Sequence, residues 1–240
     1  MIFIANWKMN LNKKETLELT KNIVKKVKIK KMDIILCPSF TALFDVQKIL
    51  SNSNIKLGAQ DVFWKKNGAF TGEISASMLK EAGCQYVIIG HSDRRLLLKE
   101  TDEMINKKIK SCLKFGLIPI LCIGEKSLKT NKPSIDEQLK KDLKGVSQKE
   151  IKKVIIVYEP TWAIGTGNYC QPDQALKKIK IIKNIFNSKF KIQNLKVLYG
   201  GSVDSKNIND YLRNFEIDGV LIGGASLKIK EIKEILKNHF

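Results

Sequence analysis

The chain has 240 residues, 43% of them apolar, which suits one large domain with a full core. No apolar run approaches the ~20 residues of a membrane span, and nothing resembles a targeting segment; a soluble, cytoplasmic protein is expected, without membrane association. The net charge is +19, yet the lysines are spread along the chain and only Arg94, Arg95 and Arg213 are arginines, a poor match to a nucleic-acid surface, where Arg and aromatics interleave.

Short apolar segments alternate with helical patterns from the start. A strand over 2–5 ends at Asn6-Trp7-Lys8, and 14–27 reads as a helix with Leu17, Thr20, Ile23, Val24 and Val27 on one face. A second strand over 33–37 stops at Pro38 and precedes a helix over 41–50. A third strand spans 55–60. The long loop 61–72 leads to a helix near 75–82. The fourth strand, 86–89, ends at Gly90-His91, and a charged connection leads into a helix reaching Lys114. The fifth, 118–123, ends at Gly124-Glu125 and is followed by a helix around 135–143.

The sixth strand begins at Val154 and ends on one carboxylate, Glu159, with Pro160 fixing the backbone behind it. Trp162, Ala163 and Ile164 follow, then Gly165-Thr166-Gly167. A carboxylate at a strand end, before an apolar loop with glycine joints, suits a general base beneath a closing lid. Pro172 opens the next helix. The last two strands, 196–199 and 219–222, lead into Gly200-Gly201-Ser202 and Gly223-Gly224, and a final helix covers about 226–236.

Eight strands, each followed by a helical pattern and spaced by about 30 residues, give an α/β chain with a parallel sheet. The expected fold is a closed (βα)8 barrel of eight strands and eight surrounding helices, in a single domain over 1–240. In such a barrel the strand C-termini share one face, where active sites are built. Asn6, Lys8, His91 and Glu159 all fall there. The glycine pairs after strands 7 and 8 let backbone N–H groups approach an anion. The residues alone point to a barrel enzyme that holds a small phosphorylated substrate, with Glu159, His91 and Lys8 around its reacting end. Five cysteines without a CxxC pair, and only two histidines, make a metal site unexpected. The contrasting expectation is a non-catalytic basic barrel that binds anionic partners.

Asn6-Trp7-Lys8, Gly90-His91-Ser92, Glu159-Pro160 with Trp162 to Gly167, Tyr199-Gly200-Gly201-Ser202 and Gly223-Gly224-Ala225-Ser226-Leu227 together resemble the triosephosphate isomerase family, in order and along the whole chain. The resemblance implies interconversion of dihydroxyacetone phosphate and glyceraldehyde 3-phosphate, in glycolysis and gluconeogenesis, with no cofactor and no metal. It implies Glu159 as base, neutral His91 as electrophile and proton shuttle, Lys8 as counter-charge and Asn6 as an orienting group, roles carried over from the family's own reference mechanism. It further implies phosphate contacts from Gly165, Ser202, Gly223 and Gly224, and a lid of Trp162, Ala163, Ile164, Gly165 and Thr166. The segment Gly68 to Glu73 resembles the family's loop that reaches a partner subunit, which implies a homodimer with Thr71 at the contact. Cys122 matches a packing position behind the base. Three positions depart from the family: Asp93 and Asp61 replace the usual Glu and Asn, and Asn168-Tyr169-Cys170 replaces the common Lys-Thr-Ala at the far lid hinge. The first leaves open the shorter side chain's reach to Lys8, and the third implies altered lid kinetics.

Overall fold

Parallel pairing joins each strand to the next and the last to the first, closing a barrel in sequence order in the computed structural model. The structure describes residues 1–27, 32–125, 134–163 and 169–237. The strands are β1 Ile2–Asn6, β2 Asp33–Cys37, β3 Lys56–Ala59, β4 Tyr86–Ile89, β5 Ile118–Ile123, β6 Ile155–Tyr158, β7 Val197–Tyr199 and β8 Gly219–Ile222. Around them run α1 Lys13–Lys26, α2 Leu43–Leu50, α3 Ala76–Glu81, α4 Ser92–Leu97, α5 Asp102–Lys114, α6 Ile135–Asp142, α7 Gln148–Ile151, α8 Pro172–Ile185, α9 Ile208–Leu212 and α10 Ile229–Lys237. The described residues thus hold ten α-helices rather than eight. The connections after β4 and β5 each carry two, because Thr101 and Ser147 start new helices by accepting hydrogen bonds from the amides of Met104 and Glu150.

Strand alternation divides the core into two shells. Ile2, Ile4, Ile35, Ile88, Ile120, Cys122, Ile155, Val157, Leu198 and Leu221 fill the barrel interior. Their neighbours Phe3, Ala5, Leu36, Val87, Leu121, Ile156 and Val220 face the helices and pack there with Ile23, Val46, Ile109, Leu139, Ile179 and Ile232. Full burial of each Val, Leu, Ile or Phe among them contributes about 1.5–3 kcal/mol.

Helix starts follow local chemistry. Asn12 and Glu15 form a reciprocal capping box on α1, as do Ser134 and Glu137 on α6. The expected helix over 41–50 begins instead as a 3-10 turn, Phe40–Ala42, before α2. The final helix likewise follows a separate 3-10 turn, Gly224–Leu227.

Candidate active site

Alternation decides which strand-end side chains enter the barrel mouth. In β1 the interior face runs Ile2, Ile4, Asn6, so Asn6 continues the interior row at the C-terminal rim. In β6 it runs Ile155, Val157, and Glu159 is the next residue in phase. His91 is out of phase with Ile88. Gly90, at φ +70°, turns the chain in a region that favours glycine, and His91 is thereby brought to the interior side.

Glu159 is 1% exposed. Its Oε2 accepts a 2.9 Å hydrogen bond from the Ser92 amide. Its Oε1 lies 3.3 Å from His91 Nε2 and accepts no hydrogen bond among the described residues, a buried carboxylate oxygen facing the imidazole. Cys122 packs behind it, where burial and then the carboxylate's charge push the thiol well above its ordinary range. Gly200 is required by the same packing: a Cβ there would sit 2.4 Å from Val157 Cγ1 and 3.0 Å from Glu159 Cγ.

The His91 tautomer follows from its neighbours. The Asp93 amide donates to Nδ1 at 3.1 Å, so the ring proton belongs on Nε2, toward Glu159 and the cleft. The Asp93 carboxylate is farther from Nδ1, at 3.6 Å, and is engaged by Lys8 Nζ at 3.0 Å. The shorter acid therefore does reach Lys8.

Lys8 adopts φ +51°, uncommon for a side-chain-bearing residue. Its amide donates to Asn6 Oδ1 at 3.1 Å, and its carbonyl accepts from Gln60 Nε2 at 2.9 Å. Gln60 also donates to the Cys37 carbonyl, tying the β1, β2 and β3 ends together. The Lys8 stem passes beside Gly223, whose Cβ position would be 3.6 Å from Lys8 Cε. Trp7 is buried and donates from its indole to the Ser226 carbonyl, locking the β1 end to the turn after β8.

Lys8, His91, Gly200, Ser202, Gly223 and Gly224 line one cleft of about 730 Å³. Asn6 and Glu159 lie beneath it, joined through Lys8 and His91. Trp162 is half-buried and Ala163 fully buried; the Ala163 carbonyl accepts from Ser202 Oγ at 3.4 Å. Ile164, Gly165 and Thr166 lie outside the described residues. Thr71 is exposed on the loop after β3 and does not line this cleft.

Several supporting residues, Asp61 apart, gave no distinct signal in the sequence. Arg95 bridges the β4 and β5 ends, donating to the Gly90 and Cys122 carbonyls at 2.7 and 3.2 Å and pairing with Asp102 and Asp142. Glu125, buried at the end of β5, accepts from Tyr158 and pairs with Lys178, while its carbonyl accepts from Thr161. That braces the turn carrying Glu159. A third group lies beside the long loop: buried Lys108 donates to Asp61 at 2.7 and 2.8 Å and to Glu100, and Arg94 pairs with both acids. Burial raises the Asp61 carboxyl to about 6, with Lys108 pulling the other way. Among the described residues no group of three or more His, Cys, Asp or Glu side chains is placed to hold a metal ion, and no helix is long and apolar enough to cross a membrane.

A family model described as triosephosphate isomerase matches residues 1–239. The chain is 44% identical to the triosephosphate isomerase of Dictyoglomus turgidum, over 99% of this chain and 98% of that one. It is 43% identical to those of Thermoanaerobacter pseudethanolicus and Clostridium botulinum, each over 98% of both chains.

Proposed function

The chain belongs to the triosephosphate isomerase family, and from that premise we propose that it interconverts dihydroxyacetone phosphate and glyceraldehyde 3-phosphate, as a step of glycolysis and gluconeogenesis. The observation that carries the reading is the placement of Glu159 and His91 3.3 Å apart beneath a cleft walled by Lys8 and two glycine loops.

The Glu159 carboxylate takes a proton from the carbon beside the substrate carbonyl and returns it to the neighbouring carbon. Held by one amide, with its second oxygen free of hydrogen bonds among the described residues, it is poised for that transfer. As charge moves onto the carbonyl oxygen, the His91 Nε2–H donates to it and then shuttles protons between the two enediolate oxygens. Asn6 orients those oxygens. Lys8 offsets the negative charge, and Asp93 and Gln60 fix where it can reach. The phosphate sits on the amides of Ser202, Gly223 and Gly224, joined by that of Gly165 when the lid of Trp162 to Thr166 closes. Water exclusion then keeps the enediolate from losing its phosphate before reprotonation.

The protein acts as a cytoplasmic homodimer in this reading. Met9, Phe44, Phe70 and Leu97 are exposed apolar side chains in or beside the connections that follow β1, β2, β3 and β4, four adjacent strands. Such a group of exposed apolar residues favours a protein partner. Thr71 stands at the tip of the third connection, which is closed at its base by the Phe63 amide on the Ile74 carbonyl. Sedimentation at micromolar concentration should give twice the chain mass.

Conversion of glyceraldehyde 3-phosphate to dihydroxyacetone phosphate by the purified protein, with no cofactor added, tests the reading. A folded dimer that leaves the substrate unchanged contradicts it.

A further inference from the structure

Tyr211, on α9, is fully buried, and its ring stacks on Tyr199 with centroids 4.3 Å apart and planes 15° apart. Its hydroxyl donates a 2.6 Å hydrogen bond to the backbone carbonyl of Cys170. Burial pushes the phenol up to about 12, so it stays a donor throughout the working pH range. A phenylalanine would supply the same stack. What the tyrosine adds is a hydroxyl, which donates to Cys170 and meets the Tyr199 hydroxyl.

The carbonyl it holds matters for its place. Cys170 follows the 164–168 segment, and Ala163, on the near side, accepts from Ser202. Ser202 and Tyr211 both belong to the unit that starts at β7. Ala163 and Cys170 are therefore both tied to the unit whose Gly200-Gly201-Ser202 loop forms one wall of the cleft. Tyr169, next to Cys170, lines that same cleft.

We propose that Tyr211 is a positioning residue for the anion end of the site: by holding the Cys170 carbonyl it fixes the neighbouring Tyr169 in the wall of the cleft, without touching substrate itself. The proposal rests on reading the cleft as a phosphate-binding isomerase site. It differs from a purely structural role because the bond fixes the flank of the cleft, while the ring stack already secures the packing of α9 on β7.

Tyr211→Phe in the full chain tests it, with thermal unfolding as the check on folding. Affinity for inorganic phosphate, by NMR titration, should weaken about tenfold, because the cleft wall at Tyr169 is no longer preorganised. The kcat/KM for glyceraldehyde 3-phosphate should fall by a similar factor, mostly through KM. That for glyceraldehyde, which lacks the phosphate, should stay within about twofold of wild type. Unchanged phosphate affinity, or equal losses on both substrates, overturns the proposal. If wild type leaves glyceraldehyde 3-phosphate unchanged while the substitution still weakens phosphate binding, the isomerase reading fails and the positioning role stands.

Discussion

Asp93 serves His91 and Lys8 with different atoms: its amide donates to His91 Nδ1 at 3.1 Å, and its carboxylate meets Lys8 Nζ at 3.0 Å. One residue thus fixes the imidazole tautomer and the position of the cation. The ion pair is partly exposed, with side chains 33% and 43% accessible, so its share of stability is small, under about 1 kcal/mol. Its weight falls on positioning. Asp93→Asn keeps the amide and frees Lys8, and kcat/KM should drop about tenfold while the unfolding temperature stays within a few degrees. Steady-state kinetics and calorimetry on the same sample check both parts.

His91→Gln removes the Nε2–H that faces the cleft and the Nδ1 acceptor of the Asp93 amide. General acid catalysis of this kind contributes about 10²–10⁴-fold, so kcat should fall within that range with KM changed far less. A loss under tenfold would assign the proton shuttle elsewhere.

The buried group around Asp61 predicts a pH dependence with a definite sign. Burial raises the folded-state carboxyl of Asp61 to about 6, above the unfolded value of about 3.9. Between these values the folded chain binds the extra proton, so stability falls as pH rises through that window and levels off above it. Asp61→Asn has no such proton, and its stability relative to wild type should rise from pH 4 to 6. Denaturant unfolding of both proteins across that range measures the difference. Lys108→Met leaves Asp61 and Glu100 with Arg94 as their remaining cation, and should destabilise by about 3–5 kcal/mol.

All five cysteines are buried, and Cys170, beside the exposed Tyr169, is only 1% accessible. Burial raises the thiols of Cys84 and Cys170 to about 12 and holds that of Cys37 well above its ordinary range. The native protein should react with fewer than about one equivalent of a thiol reagent over minutes, and with all five groups once unfolded. Fast reaction of one thiol in the native state would contradict that burial.

The barrel and its catalytic face were legible because strand ends are written locally. β-branched runs stop at Asn6, Gly90, Glu159-Pro160 and two glycine pairs, and that pattern alone gathers Asn6, Lys8, His91 and Glu159. The extra helices were less so: α4 and α5 form one charged pattern until Leu98 and Lys99, the latter at φ +57°, separate them. Reach and burial were not legible at all. Whether Asp93 meets Lys8 depends on the left-handed turn at Lys8 and on Gln60, fifty-two residues away. Lys108 reads as one lysine among many, and only packing against Asp61 and Glu100 sets it apart. Tyr211 has an ordinary apolar place on α9, and its hydroxyl gains meaning only from the carbonyl it meets.

Glu159 moves the proton in the proposed reaction. Glu159→Gln keeps the shape of the side chain and an oxygen that can accept from the Ser92 amide, but removes the base. With phosphate affinity measured alongside as proof of an intact cleft, kcat for glyceraldehyde 3-phosphate should fall by about 10³-fold or more while phosphate still binds. If the variant binds phosphate and turns over within about tenfold of wild type, Glu159 is not the base and another group moves the proton.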